Sequence, residues 1–178
     1  MIGIDEVGRG AWAGPLLVCA ARLRADIAGL TDSKLLTAKK REYFSEIIIN
    51  NADIGYGWVT AAELDVIGLS AALRLASRRA VDDIVPEVNE EIIIDGTVDF
   101  LPAYNVKTII RADQIIPAVS AASIVAKVTR DAYMYQLTET YPNYGFGSHV
   151  GYGTAVHRQA IAKYGLCPEH RTSFKIQK

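Results

Sequence analysis

Two spacings of apolar residues divide the chain into elements. Residues 2–4, Ile-Gly-Ile, run into a glycine-rich turn, and residues 16–23 are apolar apart from Arg22, so both stretches predict strands, the second buried on both faces. Residues 54–59 alternate with glycine and aromatic residues as a strand does. Residues 91–95, Glu-Ile-Ile-Ile-Asp, are the clearest strand, a β-branched run ending in a carboxylate before Gly96, and residues 106–110 predict another. Between these lies helical spacing. Thr37 is placed to cap a helix reaching about residue 49. Leu69, Ala72, Leu73, Ala76, Ala80 and Ile84 mark an amphipathic helix over residues 67–85. Pro117 opens a long helix to about residue 141, and a last helix covers roughly 155–163. This mixture predicts one α/β domain over residues 1–178, a central sheet with helices on both faces, without repeats or linkers.

Composition supports an ordinary folded domain: half of the 178 residues are hydrophobic and 22% are charged, enough apolar surface to offset chain entropy. No apolar run approaches the ~20 residues that span a bilayer, and acidic residues follow Ile4 at once, so a cytoplasmic protein without a membrane partner is expected. Cys19 and Cys167 match no metal-ligand spacing and read as two reduced thiols. The net charge of −1 hides an asymmetry. Residues 1–103 carry 10 basic against 16 acidic side chains, whereas residues 104–178 carry 9 against 4. Phosphate binding needs local positive charge rather than a basic total, so a nucleic-acid substrate is compatible with this chain.

Four acids stand where strands or helices end: Asp5 and Glu6 after the first strand, Asp95 after the isoleucine run, and Asp113 just before the long helix. Acids at strand ends can converge on one patch, and clustered carboxylates repel one another unless cations lie between them. Hard divalent ions take such oxygen ligands, with water and substrate phosphate completing the shell, and a site of that kind suits phosphodiester hydrolysis.

A set of strings in fixed order resembles the ribonuclease HII family: Gly3-Ile4-Asp5-Glu6-Val7-Gly8-Arg9-Gly10 with Gly14-Pro15, then Asp32-Ser33-Lys34, Ile94-Asp95-Gly96, Ala112-Asp113, residues 121–131, Tyr141-Pro142, Gly151-Tyr152-Gly153-Thr154 with His157, and His170-Arg171. The resemblance implies a ribonuclease H-like fold and places four catalytic, metal-binding carboxylates on Asp5, Glu6, Asp95 and Asp113. It implies two divalent ions, Mg2+ or Mn2+, cleavage of RNA–DNA hybrids and of DNA duplexes containing ribonucleotides, and products with 3'-hydroxyl and 5'-phosphate ends. It also implies that Gly8-Arg9-Gly10 contacts the ribose at the cleavage site and that Tyr152 packs on the following deoxyribose. Glycines let the backbone approach a sugar closely, and the 2'-hydroxyl distinguishes RNA from DNA. Lys34, Lys127 with Arg130, and Arg171 are suited to phosphate contacts. His157 and His170 are read as structural, and the rings of residues 141–146 as core.

Other readings are separable. Gly8, Gly10 and Gly14 could form a dinucleotide loop, but that motif must open a helix, and here Pro15 and a strand-like run follow. A silent hybrid-binding module would lack catalytic acids, yet all four are present. A DNA nuclease would share the metals but be indifferent to a single ribose. Arg111-Ala112 and Trp12 depart from the usual family pattern without touching an expected ligand. The first acidic pair leaves no room for the N-terminal domain of ribonuclease HIII, and neither the short tail nor an isolated apolar patch suggests a protein partner, so a monomer is expected.

Overall fold

The computed structural model describes residues 1–30 and 36–176. Its strands are β1 (Ile2–Val7), β2 (Leu16–Leu23), β3 (Ala52–Val59), β4 (Glu91–Asp95) and β5 (Asn105–Ile109), arranged β3-β2-β1-β4-β5. Neighbours β3, β2 and β1 are antiparallel, whereas β1, β4 and β5 are parallel, so the sheet is mixed as expected. The helices among the described residues are α1 (Ala38–Asn51), α2 (Ala61–Ile67), α3 (Leu69–Ile84), α4 (Ala112–Ile115), α5 (Pro117–Thr140), α6 (Phe146–His149) and α7 (Ala155–Tyr164). Among these same residues no helix is long and apolar enough to cross a membrane.

Side-chain parity sorts the strands between two cores. Ile2 and Ile4 of β1, Leu16, Val18 and Ala20 of β2, and Ile92 and Ile94 of β4 pack with Ala72, Leu73, Ala76 and Ala80 of α3. The alternate residues of β2, Cys19 and Ala21, meet Ala121, Ala122 and Val125 of α5, with Ile48 of α1 beside them. Small residues bring helices close to the sheet: a side chain at Gly57 would collide with the Ala76 carbonyl of α3, and one at Gly3 with the backbone of α5 at Ala118.

Three differences from the expected elements have local causes. Asp5 and Glu6 lie within β1, because its antiparallel pairing with β2 continues to Val7 opposite Leu17. Helix α2 is a separate element, opened by a capping box in which Thr60 and Glu63 each accept the other's backbone N–H, and ended by Gly68 at φ 78°. The single-turn helices α4 and α6 carry too little periodicity to be read from sequence.

Beyond α7 the chain returns to the β1–β2 loop. Ala13 bridges His170, the Gly14 N–H donates to the Glu169 carbonyl, and the Arg171 N–H donates to the Trp12 carbonyl. Residues 151–153 reach the same loop: the N–H groups of Trp12 and Ala13 both donate to the Gly151 carbonyl. Three segments far apart in sequence therefore meet at one end of the sheet.

Candidate active site

Register and parity bring the first two carboxylates together. On β1 and β4, Gly3 pairs with Ile93 and Ile4 with Ile94, so one residue further Asp5 and Asp95 stand side by side on the α5 face, their strands ~4.8 Å apart. They sit where parallel strands end, and with Glu6 they line a cleft of about 370 Å³. The Glu6 N–H donates to Asp5 Oδ1 at 2.8 Å, and the Ala112 N–H donates to Asp95 Oδ1 at 2.7 Å. Ser123 of α5 hydrogen-bonds the Asp5 carboxylate. Arg9 lies 3.4 Å from Glu6 at the exposed lip.

Burial and mutual repulsion both act on this cluster. Withdrawal from water raises the Asp5 carboxyl to about 7, and the charges of Glu6 and Asp95 push it the same way against the Ser123 and Glu6 N–H hydrogen bonds. Glu6 is raised too, by burial first and by Asp95, with Arg9 opposing. Among the described residues no three His, Cys, Asp or Glu side chains are close enough to chelate an ion as they stand. The donor set still fits a hard divalent cation, since three carboxylates with hard oxygens border one cleft and two of them are driven toward protonation when no cation is near.

Gly8, Arg9 and Gly10 line the same cleft as the carboxylates, together with Lys127 and Tyr152. The two outer glycines are there for different reasons. Gly8 has φ 81°, and a side chain on it would meet the Arg130 guanidinium, so glycine is demanded by the protein's own packing. Around Gly10 a methyl would meet nothing within 4 Å, so its bareness leaves backbone open to the cleft.

Two expected phosphate contacts are instead internal clamps. Arg130 is fully buried on α5 and donates to the carbonyls of Pro15, Val150 and Ala13 at 2.9, 2.9 and 3.1 Å. Arg171, also fully buried, donates to the carbonyls of Gly14, Gly8 and Arg9 at 3.0, 2.6 and 3.2 Å. A cation in a nucleic-acid enzyme suggests phosphate, but backbone carbonyls take the Arg130 donors and Arg171 Nε and Nη1, while the buried Arg171 Nη2 has no hydrogen-bond partner among the described residues. Burial lowers both guanidinium pKa values, Arg171 to about 10 with Arg130 nearby adding to the shift. Arg130 also lies 5.7 Å under the Tyr152 ring.

The remaining expected residues divide. Lys127 lines the cleft but is paired with Asp131 at 2.9 Å. Asp113 follows the Ala112 N–H that binds Asp95, yet its side chain is buried and off the cleft wall. Lys34 lies outside the described residues. Two further residues line the cleft, of which Ser123 is marked in the sequence by its place on one helix face with Ser120, Lys127 and Arg130, and Arg41 is not. Ser123 stands one turn before Lys127 on α5, and Arg41 enters from α1 with no sequence feature separating it from its surface neighbours Lys39 and Lys40. Tyr144 and Phe146 pack in the core as expected, stacked 5.4 Å apart.

A mixed sheet with carboxylates at the ends of adjacent parallel strands, beside a glycine and basic rim, defines a metal-dependent nuclease of the ribonuclease H-like class. Comparison with known proteins narrows this. A model of the ribonuclease HII family matches residues 2–177. The ribonuclease HII of Halorhodospira halophila is 46% identical over 98% of this chain and 91% of its own, and that of Streptomyces avermitilis is 44% identical over 97% and 75%. Among solved structures, the ribonuclease HII in the PCNA complex from Archaeoglobus fulgidus superposes with a TM-score of 0.82 at 25% identity, covering 96% of this chain and 91% of the other. Ribonuclease H2 from Pyrococcus horikoshii gives 0.79 at 28% identity, covering 98% and 93%. The chain belongs to the ribonuclease HII family, and is a hydrolase, a metal-dependent endonuclease acting on RNA–DNA hybrids.

Proposed function

We propose that this endonuclease, besides cutting the RNA strand of hybrids, incises duplex DNA on the 5' side of a single embedded ribonucleotide, leaving 3'-hydroxyl and 5'-phosphate ends. The observation that carries this reading is one cleft shared by Asp5, Glu6 and Asp95, the Gly8–Gly10 backbone and Tyr152. Chemistry and sugar recognition then act on the same nucleotide.

Asp5, Glu6 and Asp95 hold the divalent ions in this reading, with Asp113 as fourth ligand once its carboxylate turns out of its buried place. Two bound ions, magnesium or manganese, supply an acidified water and positive charge against the reacting phosphate. Ser123 fixes the orientation of Asp5, and the Ala112 N–H that of Asp95. Peptide groups from Gly8 to Gly10 read the 2'-hydroxyl, Tyr152 packs on the next sugar, and Arg9 and Lys127 turn to phosphates. A cytoplasmic, monomeric enzyme belongs to this reading. The Archaeoglobus relative was solved with PCNA, so a protein partner stays within it.

The test is cleavage of an end-labelled DNA duplex carrying one ribonucleotide, with magnesium or manganese, beside an all-DNA control. A 5' cut that Asp95→Asn abolishes and the control lacks supports the proposal. Equal cleavage of the control would point to a DNA nuclease instead.

A further inference from the structure

All three histidines of the chain lie in one buried stack behind the Tyr152 loop. His149 and His157 are parallel, centroids 4.4 Å apart at 17°, while Trp12 covers His157 from another side and His170 meets its edge. No step proposed above uses them, and their hydrogen bonds admit only one arrangement of protons on neutral rings.

The arrangement follows from the carbonyl at its end. Tyr152 O can only accept, so His157 Nδ1, 3.0 Å away, carries the proton. A neutral His157 must then accept at Nε2, and the atom facing it at 3.1 Å, His170 Nε2, must donate. A neutral His170 is therefore an acceptor at Nδ1, which the Cys167 N–H satisfies at 2.9 Å in preference to the Cys167 carbonyl at 3.2 Å. His149 is fixed independently: its Nε2–H donates to the Tyr144 carbonyl at 2.8 Å and its Nδ1 accepts the Gly151 N–H at 3.2 Å. Burial keeps His157 and His170 neutral, holding His157 down to about 4 and lowering His170, with their imidazole neighbours acting in the same sense. Among the described residues, the other titratable groups facing the stack are Tyr144 and Cys167, both pushed up by burial and so uncharged.

We propose that His170 and His157 form a neutral hydrogen-bond relay that positions Tyr152, and through it sets how strongly the enzyme prefers a ribonucleotide followed by deoxyribose. The relay runs from the Cys167 N–H through both rings to the Tyr152 carbonyl, while Arg130 lies under the Tyr152 ring. Backbone and ring of Tyr152 are thus held separately, and His157 is a positioning residue that need not touch substrate. The inference rests on the junction-reading role given to Tyr152 above.

Amide side chains separate positioning from packing. Asparagine places a donor near His Nδ1, and glutamine places an acceptor near His Nε2. Each loses one hydrogen bond, but His157→Asn keeps a side-chain donor on the Tyr152 carbonyl, whereas His157→Gln leaves that carbonyl to the Thr154 N–H alone, at 2.8 Å. The measurement is the ratio of kcat/KM on a duplex with one ribonucleotide to that on a continuous RNA strand paired with DNA, where the ribonucleotide at the cut is followed by another ribose, for wild type, both variants and Tyr152→Ala. The expected result is a ratio lowered about fivefold or more in His157→Gln and Tyr152→Ala and retained in His157→Asn. A ratio lowered by Tyr152→Ala but equal in the two His157 variants overturns the relay alone. A ratio unmoved in every variant, Tyr152→Ala included, overturns the junction reading and this inference with it. Imidazole 15N spectra of the wild-type protein test the relay without mutation: His157 protonated on Nδ1, with His149 and His170 protonated on Nε2, is the required pattern, and a His157 protonated on Nε2 refutes it.

Discussion

Gly8 and Gly10 look alike in sequence but are predicted to fail differently when a methyl is added. Gly8→Ala forces an L side chain to φ 81° and against the Arg130 guanidinium, so unfolding free energy should fall by about 1–3 kcal/mol. Gly10→Ala meets open space at an ordinary φ, so stability should stay within about 1 kcal/mol of wild type. Its methyl stands at the cleft rim, where a ribose must approach, and kcat/KM on a single-ribonucleotide duplex should drop about tenfold or more. Urea unfolding beside cleavage kinetics distinguishes the two, and full activity in a folded Gly10→Ala protein would remove that backbone from substrate recognition. The motif is legible in sequence, but its division of labour is not. That division depends on Arg130, far along the chain, arriving beneath Gly8.

The β1–β2 loop is an element held by cations rather than by its own hydrogen-bond ladder. Arg130 from α5 and Arg171 from the tail together bind six carbonyl contacts on and around it, one from Val150. Each guanidinium presents a planar fork that an ammonium cannot reproduce. Arg130→Lys should therefore strand at least two buried carbonyls and cost about 3 kcal/mol in urea unfolding, and a loss below about 1 kcal/mol would mean the loop is held otherwise. From sequence these two arginines read as phosphate contacts, because burial of an arginine leaves no periodic mark. The strands are more transparent, since residues 92–94 and most of residues 16–23 are apolar on successive positions as sheet interiors require. Helix α2 has a sequence signal of its own, the capping-box string Thr60-Ala61-Ala62-Glu63, short enough to be lost beside the longer period of α3. Helix α4 has none, because it is four residues long and Arg111 enters it at φ 58°, a conformation that local propensity disfavours.

Across the whole molecule, the site and the histidine stack give stability opposite dependences on pH. Folding raises Asp5 from 3.8 to about 7, so between those values the native protein holds a proton that the unfolded chain releases, and stability falls as pH rises through that window. Glu6 acts in the same direction. Folding lowers His157 from 6.5 to about 4, so there the unfolded chain holds the extra proton and stability rises with pH. His170 shares that sign. The two trends oppose each other below about 6.5, and above it only the carboxylate trend remains. Metal-free protein should accordingly have a Tm maximum near mildly acidic pH and lose stability toward about pH 8. A divalent cation favours the ionised carboxylates, so millimolar magnesium should abolish the alkaline decline and raise Tm with concentration. Asp5→Asn should lessen it without metal, since the amide is already neutral and Glu6 alone keeps the trend. Thermal unfolding across pH, with magnesium and with chelator, checks all three, and a metal-free Tm that climbs steadily to about pH 8 would show that folding does not raise these carboxyls.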